Sequence, residues 1–235
     1  MTAPDCPDPQ RCPVPDPRTL DRDALRLLRL APHAVFHRVY ALRHGYDTFN
    51  PGAGDSRFAP LVLDGFAVPT LYGGESAEAV LLETVFHDVH DRATRVIYGA
   101  QLRERGLARL RTPRSLRLID LRDEALAALG LRREQLVSTT RAHYPCTREW
   151  AAVLHGIRIG RSRPEGIVWH SRQTELHAGE PVLQEVFMLF GDRAPHAPGD
   201  YELDGVGVRT LVDGPGLLLV ERLAEDLDAL VVPLA

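Results

Sequence analysis

The chain has 235 residues, a formal net charge of −4 and three cysteines, and its 44% apolar and 26% charged composition is that of an ordinary globular protein able to bury a sizeable core. The negative balance argues against a broad electrostatic footprint for nucleic acid, and no apolar run nears the roughly 20 residues that span a bilayer. The N-terminus lacks the basic and apolar regions of a secretory signal, so the expectation is a cytoplasmic protein with neither membrane nor direct nucleic-acid contact.

Every basic residue other than histidine is arginine. That excludes a lysine nucleophile or Schiff base, and any phosphate clamp must use the planar guanidinium fork. Three cysteines make no disulfide framework. Cys6 and Cys12 sit in a proline-rich tail too short to hold a metal alone, so these two and Cys146 read as reduced and incidental.

In chain order, residues 1–18 are rich in Pro and Asp and read as a disordered or loosely docked arm. From Thr19, the leucines 20, 25, 27, 28 and 30 suggest a helix closed by Pro32. Residues 34–42 alternate as a strand with Arg38 near its middle, flanked by Phe36 and Tyr40. A turn-rich loop follows, with Gly45, Asn50-Pro51, Gly52 and Gly54, and leads to Arg57 and Phe58. Residues 66–72 form a second strand, with Pro69 suggesting an edge or irregular pairing.

Ser76 suits the N-cap of a helix over residues 77–89. Ala79, Leu82, Val85, Phe86 and Val89 make its apolar face, and Glu83 stands on the shoulder of that stripe. Further on, residues 107–112 and 115–121 alternate as strands. Short helices then follow over 121–130, ending at Gly130, and over 131–137. Thr147 suits the cap of a helix ending at Gly156. Residues 166–171 and 180–190 read as strands, and 208–223 as a final pair or a strand leading into a helix. This irregular mixture favours an α+β fold.

Several residues admit two readings. Arg57 is either a surface arginine or a phosphate grip, whereas Arg38, alternating with Phe36 and Tyr40, is expected to point into a cleft. Tyr72 ends its strand at Gly73-Gly74, where small residues permit close approach of an aromatic ligand. GGESAE is neither GxGxxG nor a phosphate loop, and Ser171 is not in GxSxG, so neither a Rossmann site nor a nucleophile elbow is supported. His87 and His90 share a helix side without the companions of a zinc site.

Taken together, FHRVY (36–40), FNPG with RF (49–58), LY followed by AVLLE (71–83), Trp150-Ala151, GIVWHSR (166–172) and VFMLF (186–190) resemble the RES-domain family. That family is named for its arginine, glutamate and serine. The match runs from about residue 36 to 190, within one catalytic domain spanning 19–235. The resemblance implies an ADP-ribosyltransferase-like split sheet with a central NAD cleft. It also implies an NAD-degrading toxin, acting as a phosphorylase or glycohydrolase, that releases nicotinamide and, with inorganic phosphate, ADP-ribose 1''-phosphate. On that reading Glu83, Arg57 and Ser171 are catalytic, and Arg38, Tyr72 and Arg172 bind substrate. NAD is a substrate, so no cofactor or metal is implied, and the partner is a helix-turn-helix antitoxin of Xre type. Departures are Asp55-Ser56 where glycine commonly precedes the motif arginine, Ala59 in place of a small polar residue, and Glu165 in place of aspartate. A mono-ADP-ribosyltransferase and an inactive binding module with the same cleft are the alternatives.

Overall fold

Alternation of apolar residues builds most of the molecule, described here by a computed structural model for residues 6–87, 89, 94–171 and 183–233. In chain order the elements are β1 (Leu27–Leu30), β2 (Val35–Ala41), β3 (Leu61–Leu63), β4 (Phe66–Val68), β5 (Thr70–Gly74), α1 (Ala77–Leu82), β6 (Val96–Tyr98), α2 (Gly99–Arg103), β7 (Arg105–Arg111) and β8 (Leu116–Asp120). They continue with α3 (Asp123–Ala128), α4 (Arg133–Leu136), α5 (Tyr144–Gly156), β9 (Gly166–His170), β10 (Glu185–Phe190), β11 (Glu202–Thr210), α6 (Gly214–Asp226) and β12 (Leu230–Val232).

Eight strands join in the order β1-β8-β9-β10-β5-β2-β7-β11. Only β8 and β9 run parallel within this sheet. The sheet has a thin seam. β2 pairs with β7 along its whole length, yet it meets β5 only at His37 opposite Gly74. Five strands thus stand on one side of the seam and three on the other. The fold is α+β, as expected.

Successive residues of β5 and β10 face opposite sides of the sheet. Tyr72, Val186, Met188 and Trp169 pack with Phe58, Trp150 and Leu154 beneath α5. Leu71, Phe187 and Leu189 pack on the other side with Phe36, Leu110 and Tyr201. A third cluster joins α1, α2 and α6 through Leu81, Leu82, Phe86, Leu102, Val220 and Leu223. Truncating a fully buried aromatic such as Trp169 to alanine costs roughly 3–5 kcal/mol. Gly73 serves this packing: a Cβ there would stand 2.6 Å from the Phe187 ring and 2.8 Å from that of Phe36.

Several expected elements change. The leucine run after Thr19 is not a helix: a short 3-10 turn (Pro17–Thr19) precedes β1, which pairs antiparallel with β8. A short apolar run carries too few periods to separate helix from strand, and pairing decides. The strand expected over 66–72 is broken at Pro69, whose missing N–H divides the hairpin strand β4 from the central strand β5. The helix expected over 77–89 stops at Leu82, although Ser76 caps it as expected by accepting from the Ala79 N–H at 2.9 Å. Residues 6–18 touch the core at several points. Cys6 and Val14 are buried, and the Trp150 indole donates to the Pro15 carbonyl at 2.7 Å. Among the described residues no helix is long and apolar enough to cross a membrane.

Candidate functional site

The early stop of α1 is what positions Glu83. As the C-cap residue, with its N–H bonded to Ala79 O, it is held at a fixed point beside the end of β9. There the fully buried Ser171 hydroxyl donates to Glu83 Oε1 at 2.5 Å. The Ser171 N–H is itself anchored on Gln184 O at 2.9 Å. A carboxylate bonded by a hydroxyl in a partly buried place is held in one orientation beside the sheet.

Tyr72, on β5, stands edge-on to Trp169 at 6.1 Å between ring centroids, and Phe58 meets the same indole at 5.1 Å. Its hydroxyl lies 3.0 Å from Ser56 Oγ. Burial drives the phenol well above its ordinary range; the Ser56 and Phe58 hydrogen bonds oppose that rise, Glu83 adds to it and the Arg57 charge opposes it. Tyr72 thus feels both Glu83 and Arg57 and stays a neutral hydroxyl at physiological pH.

Arg57 is buried, at 5% exposure, where a surface loop would leave it open. Its Nη1 donates to both the carbonyl and the hydroxyl oxygen of Thr139, each at 2.8 Å, and its guanidinium lies 5.3 Å from the centroid of the Tyr144 ring. The preceding loop is shaped by Asn50, whose side chain accepts from Gly52 and Ala53 and donates to Ala53 O. Ser56 N–H and Oγ both close on Ala59 O. Asp55, the acid next to this arginine loop, is paired with Arg141 at 3.2 Å and Arg148 at 2.6 Å. Its charge is therefore matched by cations other than Arg57.

Four of the six expected site residues, Arg57, Tyr72, Glu83 and Ser171, are therefore brought together. Arg38 is not among them. It alternates with Phe36 and Tyr40 toward the opposite face, where Nη1 donates to Tyr46 O at 2.8 Å and Nη2 to Thr48 O at 2.6 Å. Burial pushes this guanidinium down to about 10, opposed by the nearby Asp47 carboxylate, so it remains charged at neutral pH. Its work there is to fasten the 46–48 loop. Arg172 lies outside the described residues.

Sequence reasoning missed Thr139 and Tyr144, and read Thr147 only as a helix cap. Thr147 does not cap α5, which starts three residues earlier at Tyr144; its hydroxyl donates to the Arg57 and Tyr144 carbonyls instead. Tyr144 in turn meets His87 at 2.9 Å, so this histidine is bonded within the fold; His90 lies outside the described residues. These contacts span 57 to 90 residues of chain, and no local signal carries them. Beyond this cluster, Cys6, Cys12, His143 and Cys146 place their sulfur and nitrogen atoms within 4.8 Å of one another, and all three cysteines are free thiols.

The chemistry available to the four-residue cluster is electrostatic and orienting: a fixed carboxylate, two hydroxyls and a buried guanidinium beside an aromatic wall. Comparison with solved structures finds the toxin–antitoxin complex MbcT–MbcA of M. tuberculosis, with a TM-score of 0.54 at 15% identity over 85% of this chain and 92% of that one. At that identity the likeness is one of fold. A search of curated proteins gives no match. The family model described as the RES domain matches residues 26–206, most of the chain and all four clustered residues. This chain is a member of the RES-domain family.

Proposed function

We propose that the chain is a toxin enzyme that consumes NAD by breaking the bond between nicotinamide and ribose. The observation that carries this reading is the Glu83–Ser171 pair set beside Tyr72 and Arg57. Cleavage of that bond passes through a state resembling an oxocarbenium ion. A carboxylate held by Ser171 opposes the positive charge that grows on the ribose, and it needs no reorganisation to do so. The bonding electrons leave with the pyridinium nitrogen, which becomes neutral, so the departing nicotinamide requires no general acid. Tyr72, uncharged and half-buried, offers a ring edge and a hydroxyl to position the nicotinamide. Arg57 supplies positive charge toward the phosphates of the dinucleotide.

The acceptor in this proposal is inorganic phosphate. Its oxygen forms the new bond to the ribose carbon as the bond to nicotinamide breaks, giving ADP-ribose 1''-phosphate. Water is the slower nucleophile. The seam between β5 and β2, bridged by one residue pair, agrees with a sheet split as in ADP-ribosyltransferases, with NAD received near it. The likeness to one component of a toxin–antitoxin complex supports a cognate antitoxin, with a helix-turn-helix protein of Xre type as the partner, and action in the cytoplasm.

The test is to incubate the pure chain with NAD, with and without phosphate, and to weigh the products. Phosphate should accelerate NAD loss and appear in the ADP-ribose product. Radiolabel from NAD on a macromolecule, with turnover indifferent to phosphate, would replace this reading by transfer of ADP-ribose.

A further inference from the structure

Outside the NAD site, the chain's only three cysteines converge with a histidine at one point. Cys12 Sγ lies 3.6 Å from Cys146 Sγ and 3.7 Å from His143 Nδ1, and all four donor atoms, including that of Cys6, fall within 4.8 Å of one another. Cys6 and Cys146 are buried and Cys12 is half-buried. We propose that Cys6, Cys12, His143 and Cys146 form a closed Cys3His site for one zinc ion, which fastens the N-terminal segment to the start of α5.

Two of the donor separations are those of a tetrahedral site. Zinc–sulfur bonds of about 2.3 Å and zinc–nitrogen bonds of about 2.0–2.1 Å place tetrahedral ligands about 3.6–3.8 Å apart, close to both resolved separations. Three sulfurs and an imidazole are a donor set that favours zinc over magnesium, calcium or manganese. Four protein ligands fill the tetrahedron and leave no open position, which makes the site structural. The pairs are also local on each side. Cys6 and Cys12 come from one short segment, and His143 and Cys146 from the 3-10 turn Arg141–His143 and the first turn of α5. Between the two pairs lie more than a hundred residues, with Cys12 and Cys146 separated by 134 positions, so neither half of the site is recognisable as a zinc motif alone. A disulfide accounts for the arrangement less well: it would need the 3.6 Å sulfur separation to close to about 2.05 Å and would leave the third cysteine and the histidine without a role.

The placement gives the ion a task. The segment it would hold contributes Val14 to the core and Pro15 O to the Trp150 indole. The helix start it would hold carries Tyr144 and Thr147, both in contact with Arg57. Metal binding would therefore be linked to folding of this corner.

The test is metal analysis of the full chain purified under reducing conditions. One zinc per chain is expected, falling at least tenfold in Cys12→Ser and in His143→Ala. Because either variant can fail to fold, the wild-type chain is also stripped of metal and titrated with cobalt(II). One equivalent should give the intense visible bands of tetrahedral thiolate-bound cobalt. Arg11 and Arg18 are exposed but sit on the fastened segment, so removing zinc should speed tryptic cleavage after them by freeing the backbone, and restoring it should slow that cleavage. A chain that neither retains zinc nor yields the tetrahedral cobalt spectrum overturns the site. A Cys12–Cys146 disulfide in the freshly purified chain does so too. Tryptic cleavage that is the same with and without zinc overturns the fastening role.

Discussion

Arg57 and Arg38 are both buried arginines whose guanidinium groups donate to backbone carbonyls, yet they stand on opposite faces of the sheet in different company. Around Arg57 are a carboxylate held by a serine, a neutral tyrosine and the Tyr144 ring. Around Arg38 are the carbonyls of one loop, with Asp47 and Tyr201 nearby. A buried cation costs desolvation in either place and is retained only where partners offset that cost. Burial alone therefore marks neither as functional. On the proposed reading, what sets Arg57 apart is that Tyr72 feels both its charge and the Glu83 carboxylate held by Ser171.

The strongest challenge to this contrast is Glu83→Gln. Removing the charge while keeping the shape and the Ser171 contact should lower NAD turnover by on the order of a hundredfold or more, with the fold intact by circular dichroism. Near-parental turnover by the folded variant would take Glu83 out of the mechanism. Next comes Arg57→Lys, which keeps the charge but loses the planar fork over Thr139 and Tyr144. Turnover should fall by about tenfold or more.

Arg38→Ala should behave in the opposite sense. With the Tyr46 and Thr48 carbonyls left without their charged donor, denaturant unfolding should show a loss of roughly 1.5–3 kcal/mol, while turnover per folded molecule stays within about twofold. A large rise in the NAD dissociation constant, with stability unchanged, would erase the distinction between the two faces. Smaller again is Tyr72→Phe, which removes the hydroxyl contact with Ser56 and should cost about 1 kcal/mol of stability. A weaker affinity for NAD should accompany it.

The smallest expected effect lies away from both arginines. At the C-terminal end of α5, His155 Nε2 meets the Asp192 carboxylate at 3.0 Å, and Nδ1 faces the Arg193 guanidinium at 3.0 Å. Burial lowers this histidine below its ordinary 6.5; Asp192 opposes that and the Arg193 charge assists it. The unfolded chain then binds the proton more tightly than the folded one. The resulting stability is present above about pH 6.5 and is lost as pH falls below it. Thermal melts from pH 7.5 to 5.5 should show this slope, and His155→Gln should flatten it without altering turnover at pH 7.5.

Much of the frame is legible in the chain. β2, β7, β8 and β9 lie where two-residue alternation puts them, and the Ser76 hydroxyl caps α1, because strand period and capping are local properties of a few neighbouring residues. The order of the family motifs also names four residues that meet in space. Other features depend on partners distant in sequence. Which side of the sheet receives Arg38 is decided by the neighbours of Phe36 and Tyr40, so alternation could mark Arg38 as facing away from His37 but not toward what. Leu27–Leu30 is a strand because β8 offers a paired edge, and Glu83 ends its helix where β9 brings Ser171 within reach. The cysteines show the division most plainly. Their identities are written in the sequence, but only the docking of residues 6–18 against α5 brings the three sulfurs and the imidazole to one point, because long-range packing carries no local periodic signal.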